Sequence, residues 1–363
     1  MLPLANDSYL TLTPYVPGKP VAETERELGI SGCIKLASNE NPLGPSPKAL
    51  AAVRNALGGL ADYPDAGAYY LKQALARRHA VEAHTIIVGN GSNELLELVV
   101  RTCVRPRENV LYADPSFVVY RLAPLAAGCE VRRVPLTRDL RYDLPALARA
   151  ADAHTKLVFL GNPNNPTGTY VTRHELEQFF ATLAPDVVVA LDEAYFEYAS
   201  APDFPNGLDY LRTRKRLLVL RTFSKCYGLA GLRVGYGIGD PELVDLLNRG
   251  RQPFNVNVLA QVAATAALDD QEHLERTVRT NREEMARLVP ALRARGLAVH
   301  DSQANFVLVD CKRDGALVFD ALLKKGVIVR PVGNYGLATC IRITVGTAVQ
   351  NLRLLSALDE VLR

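Results

Sequence analysis

Residues 157–168 read LVFLGNPNNPTG: four large apolar side chains stop at a glycine and give way to a turn rich in asparagine and proline. A short, continuous apolar run closed by turn residues is the pattern of a strand buried on both faces. The pattern recurs downstream, where VVVALDEAY (187–195) ends on Asp192 and Glu193, and LLVLRTFSK (217–225) ends on Ser224 and Lys225. Further β-rich runs at 85–88, 109–112, 130–134 and 234–238 are separated by longer helical stretches, so the rhythm holds from about Leu36 to Gly239. Doubly buried strands alternating with helices predict an α/β fold, with a large domain whose mostly parallel sheet is sandwiched by helices.

Beyond Arg251 the pattern changes. A small-residue helix is expected over 256–268 and a charged amphipathic helix over about 272–295, stopped by Gly296. A strand at 305–309, a helix ending at Gly326, strands at 327–330 and 340–345 and a closing helix from Ala348 complete a smaller α+β C-terminal domain. The expected division is therefore an N-terminal arm over 1–35, where Pro14, Pro17, Gly18 and Pro20 favour extended chain, a large domain over 36–252 and a small domain over 253–363.

Composition narrows the function classes. The net charge is +3, from 42 basic and 39 acidic residues, and the basic residues are scattered rather than gathered on one stretch, which argues against nucleic-acid binding. Six cysteines show no C-x-x-C pairing and mostly sit in apolar runs, as thiols do in a reducing cytoplasm. No stretch approaches the roughly 18 apolar residues of a membrane span, and the first twenty residues lack a basic segment followed by an apolar one. A cytoplasmic enzyme acting on small molecules is the expectation.

In open α/β sheets ligands sit at the carboxyl ends of the strands. Three strand ends here deliver an amide (Asn162, Asn164, Asn165), a carboxylate (Asp192 or Glu193) and an amine (Lys225) toward one rim. A fourth element, IIVGNGSNELLELVV (86–100), passes from strand through a glycine turn into a helix that begins at Gly91, Ser92 and Asn93. Free amides and the positive end of the helix dipole make that an anion site, although a plain strand-to-helix turn reads the same way. Arg233 follows Lys225 by eight residues across CYGLAGL, whose glycines allow a tight return. Taken singly, the lysine could cap a sheet and the acidic pair could hold Mg²⁺. Together they meet the needs of pyridoxal phosphate: a lysine to carry it, a carboxylate for its ring nitrogen, donors to its ring oxygen and a cradle for its phosphate. No metal is expected.

The motifs NPNNPTG, LDEAY, and SK followed by GLAGLR resemble the fold-type I pyridoxal-phosphate aminotransferases, the aspartate-aminotransferase-like enzymes, over essentially the whole chain. PYVPGKP (14–20), KLASNENPLGPSP (35–47), DYPD (62–65), GNGSNELLEL (89–98), VIVRPVGNYG (327–336) and IRITVGT (341–347) are similar to the histidinol-phosphate aminotransferase subfamily. The resemblance implies that Lys225 carries the cofactor, Asp192 partners its ring nitrogen, and Asn165 and Tyr195 donate to its ring oxygen. It implies that Ser92, Asn93, Thr222, Ser224 and Arg233 surround the phosphate, and that Phe117, in DPSFVVY, lies on the ring face. Tyr63 would reach the phosphate of a neighbouring subunit in a homodimer with shared sites, and the arm would pack on the small domain and that neighbour. Arg342 would bind the substrate carboxylate and Arg330 a substrate phosphate, with Tyr15 and Asn39 closing over the substrate. The implied reaction is amino transfer between L-histidinol phosphate and 2-oxoglutarate, in histidine biosynthesis. An aromatic amino acid aminotransferase and, more remotely, a non-catalytic pyridoxal-phosphate-binding regulator remain alternatives.

Overall fold

The computed structural model describes residues 7–10, 12–14 and 18–362. A two-residue strand β1 (Ile34–Lys35) precedes seven strands that alternate with helices: β2 (Ile86–Gly89), β3 (Asn109–Asp114), β4 (Glu130–Pro135), β5 (Thr155–Gly161), β6 (Val188–Asp192), β7 (Leu217–Thr222) and β8 (Gly235–Gly239). They form one sheet in the order β2-β8-β7-β6-β5-β3-β4. All neighbours are parallel except β8, which runs against both β7 and β2.

Alternation along the strands fills both faces of this sheet. Leu157 and Phe159 of β5 pack with Leu95, Leu98 and Val99 of the helix Gly91–Cys103, while Val158 and Leu160 turn the other way among Leu147, Leu176 and Phe179. The helices begin where short polar side chains accept their free amides: Asp143 accepts from Ala146, and Thr172 with Glu175 makes a reciprocal cap.

Beyond the large sheet lies an antiparallel four-stranded sheet, ordered β12-β13-β10-β9, made of β9 (Ala298–Val299), β10 (Phe306–Asp310), β12 (Arg330–Pro331) and β13 (Cys340–Thr344). Its core joins Val307, Val309, Ile341 and Ile343 to Leu288 and Leu292 of the helix Gln271–Arg293 and to Leu354 and Leu358 of the helix Ala348–Val361. Strand β9 was not foreseen. The run expected as one strand at 327–330 is split: β11 (Val327–Ile328) pairs with β1, and only Arg330 onward joins β13. The helix Val258–Leu268 buries Ala260, Ala263, Ala264 and Ala267 in the same core as Ile86, Val88, Tyr236 and Ile238, so the apolar core of the large sheet draws on residues beyond 252.

Candidate active site

The topology explains why one rim collects the polar side chains. The six co-directional strands all present their carboxyl ends there, and β8, running the other way, presents its beginning. Asn165 follows β5, Asp192 ends β6, Thr222 ends β7 with Ser224 and Lys225 just beyond, Ser92 and Asn93 follow β2, Phe117 follows β3, and Arg233 precedes β8. All of these line one cavity, closed from the other side by Asn39, Arg330 and Arg342. Tyr195 lines it too. Of the remaining expected residues, Tyr15 lies outside the described residues. Tyr63 is away from the cavity, 82% exposed and stacked on Phe254 with ring centroids 4.7 Å apart.

At the anion end, Gly91 has a φ of 74°, and a Cβ there would meet the Arg233 guanidinium at 2.5 Å. A Cβ on Gly235 would meet the amide nitrogen of Ser92 at 2.3 Å. Only glycines allow Arg233 and the helix N-terminus to come this close. Arg233 Nη1 donates to Ser224 Oγ at 3.3 Å, and Thr222 Oγ1 accepts from the Ser224 amide at 3.1 Å. Hydroxyls, helix amides and a guanidinium thus converge on one spot, an arrangement that could hold a phosphate.

At the other end sits Asp192, 6% exposed. Its Oδ2 accepts from the Tyr120 hydroxyl at 2.8 Å and its Oδ1 from the Ala194 amide at 3.2 Å. Burial pushes its carboxyl up to about 6, against the pull of the Tyr120 hydrogen bond. The Lys225 amine helps to hold the charge from a distance, and a protonated ring nitrogen in direct contact would hold it further. The adjacent Glu193 points to the opposite face, where its Oε2 accepts from Arg221 Nη2 at 2.7 Å and its Oε1 from the Gly207 amide at 2.7 Å. Of the two candidate carboxylates, only Asp192 faces the cavity.

Between the two ends, Tyr195 accepts from Asn39 Nδ2 at 2.9 Å, and burial pushes its phenol up to about 12, so it keeps its proton and remains a donor. Asn39 Oδ1 also accepts from Thr344 Oγ1 at 3.2 Å, so this side chain braces Tyr195 against β13. Arg342 donates to Asn165 Oδ1 and, at 2.7 Å, to the carbonyl of Ala37, which leaves the Asn165 amino group for another acceptor. Arg330 and Arg342 are directly opposed residues of β12 and β13. Like charges facing each other across an antiparallel pair are destabilising unless an anion lies between them.

Lys225 Nζ donates to the Ser38 carbonyl at 3.0 Å, and burial together with Arg342 depresses its amine to about 8. The unfolded chain, with an ordinary value of 10.5, holds that proton more tightly. The charge therefore opposes folding fully below pH 8, less between 8 and 10.5, and not at all above. Lys225→Met is expected to stabilise the ligand-free protein at pH 7 by up to about 3 kcal/mol, with the gain vanishing above about pH 10.5. Denaturant melts of both proteins at pH 7 and pH 10.5 check this.

The sequence reading missed Tyr120, Tyr335 and Ser38. Tyr120 follows Phe117 by three residues at the start of the helix Val119–Ala126, and that one-turn spacing was the available signal. Tyr335 lines the same cavity as Arg330.

Residues 31–358 match the family described as aminotransferase class I and II, and the chain belongs to that family. Within it, the chain is 50% identical to a histidinol-phosphate aminotransferase of Pseudomonas fluorescens over 99% of this chain and 98% of the relative. It is 47% identical to a histidinol-phosphate aminotransferase of Moorella thermoacetica over 99% of this chain and 94% of the relative. The crystal structure of histidinol-phosphate aminotransferase from Sinorhizobium meliloti, in complex with pyridoxal-5'-phosphate, superposes with a TM-score of 0.92 at 31% identity, covering 100% of this chain and 98% of that one.

Proposed function

We propose that this chain is a pyridoxal-phosphate-dependent aminotransferase that moves the amino group between L-histidinol phosphate and 2-oxoglutarate. The observation that carries the substrate reading is the opposed pair Arg330 and Arg342 at the cavity wall. Two arginines lining one cavity from directly opposed strand positions suit a phosphate dianion better than an uncharged aromatic ring. The names of the half-identical relatives point the same way.

Pyridoxal phosphate, when bound, supplies an aldehyde that exchanges amines and a ring that withdraws electrons. Ser92, Asn93, Thr222, Ser224 and Arg233 would hold its phosphate, Phe117 its ring face, and Asp192 its ring nitrogen. Asn165 and Tyr195 would donate to its ring oxygen. Lys225 would be the lysine that holds it. The Lys225 Nζ changes protonation at about pH 8, which suits it to take the α-proton of an amino substrate and return it. Arg342 orients the donor through its carboxylate or phosphate, and the bond from Arg342 to Asn165 ties substrate position to cofactor position.

The site is also read as shared within a homodimer in the cytoplasm. Tyr63 and Phe254 form an aromatic pair left largely in water in a single chain, as interface side chains are, and the six cysteines are free. Among the described residues no helix is long and apolar enough to cross a membrane.

Steady-state kinetics test the substrate. Arg330→Ala is expected to lower kcat/KM for histidinol phosphate roughly 30- to 160-fold, the loss of a charged hydrogen bond of about 2–3 kcal/mol, with a smaller effect on glutamate. If phenylalanine or tyrosine has the higher kcat/KM in the unmutated enzyme, the aromatic aminotransferase reading replaces this one.

A further inference from the structure

We propose that Tyr120 is a positioning residue that keeps the Asp192 carboxyl ionised and aimed at the cofactor cavity. The inference rests on the reading of Asp192 as partner of the ring nitrogen and deepens it.

The Tyr120 ring is held on three sides. It stacks on Phe159 with centroids 4.9 Å apart and planes at 15°, meets Tyr112 edge to face at 6.3 Å, and meets Phe117 at 5.8 Å and 89°. The residue is 2% exposed, so its hydroxyl has little freedom to search for other partners. That hydroxyl reaches Asp192 Oδ2 at 2.8 Å. One side chain thereby supports both groups that would frame the cofactor ring, the apolar platform of Phe117 and the charge of Asp192.

The direction of the effect follows from what else faces Asp192. Glu193, next along the chain, opposes ionisation, though Arg221 compensates its charge. The Lys225 amine favours ionisation, and the Tyr142 and Tyr195 phenols lie nearby. Burial raises the carboxyl, and the Tyr120 hydrogen bond opposes it more strongly than any of these neighbours. Burial also holds the Tyr120 phenol well above its ordinary value, so it does not compete for the charge. A donor that stabilises only the charged carboxylate shifts the balance toward it.

The test is the titration of the Asp192 carboxyl in the full chain without cofactor, followed by carbon NMR of aspartate-labelled protein and assigned with Asp192→Asn. Tyr120→Phe keeps the stacked ring and removes the donor, and it is expected to raise the midpoint by about one to two units. Tyr112→Phe, which removes a hydroxyl from the same aromatic cluster, leaves the midpoint in place. Substituting 3-fluorotyrosine at position 120 keeps the shape, strengthens donation and lowers the midpoint, a sign that no loss of packing mimics. In the holoenzyme, Tyr120→Phe lowers kcat most at acidic pH and leaves KM nearly unchanged. A midpoint that does not move in either position-120 variant overturns the proposal. A midpoint that moves with kcat unchanged at every pH leaves the tuning in place and overturns the ring-nitrogen role of Asp192.

Discussion

Lys225→Met is expected to lower transamination by about 10⁴-fold or more while leaving the fold intact. The side chain lines the cavity just beyond β7, and burial, with the like charges of Arg342 and Arg233, loosens the proton on its amine. Methionine nearly matches its length and keeps the contacts of the methylene stem, so what is lost is the amine itself. On the proposed reading that group has two tasks, anchoring the cofactor and carrying the α-proton. A positioned acid–base group alone contributes up to about 10⁴-fold. Single-turnover kinetics with the donor substrate, alongside the stability comparison at pH 7, separate this from unfolding: turnover collapses in a protein that melts no lower than the parent.

The second large effect is expected from Asp192→Asn, a loss of about 10²- to 10³-fold in kcat with the cofactor still bound. Asparagine keeps an oxygen to accept from Tyr120 or from the Ala194 amide, so the local hydrogen bonds change little. The charge disappears, and with it the group that, on the proposed reading, would hold a proton on the ring nitrogen. Because the proposed phosphate site lies at the other end of the cavity, around Arg233 and Ser92, cofactor affinity is expected to fall far less than turnover. Parallel measurement of kcat and of cofactor dissociation distinguishes this from a merely structural role, which would weaken both together.

Much of this architecture was legible because the strands of the large sheet are buried on both faces and announce themselves as apolar runs. All seven were anticipated within one or two residues, from β2 at Ile86 to β8 at Gly239. The cavity was legible for the same reason, since polar residues directly after such runs must lie at the rim. Arg233 is instructive: it precedes its strand, and it reaches the rim only because β8 runs opposite to its neighbours. Sequence order alone does not reveal strand direction; it was the eight-residue spacing from Lys225 across the glycine-containing CYGLAGL segment that pointed to a tight return, and the family motif agreed.

Other features depend on which face a side chain takes. Asp192 and Glu193 are adjacent acids, and their separation into cavity and core follows from the two-residue period continuing past Ala190 and Leu191. The opposition of Arg330 and Arg342 required the register of β12 against β13, set by the turn around Gly333–Tyr335. Tyr120 reads as an ordinary core aromatic until its hydroxyl is seen to reach Asp192. The helix Val258–Leu268 has only Gln261 and Thr265 to mark a polar face, and its place in the core of the large sheet became clear only from the packing of its alanines.

The most direct measurement is to reduce the purified holoenzyme with borohydride, digest it and map the pyridoxyl group. The label is expected on Lys225 alone, in the peptide containing Thr222-Phe223-Ser224-Lys225. A label on another lysine, or none, would contradict the assignment from which the rest of the mechanism is built.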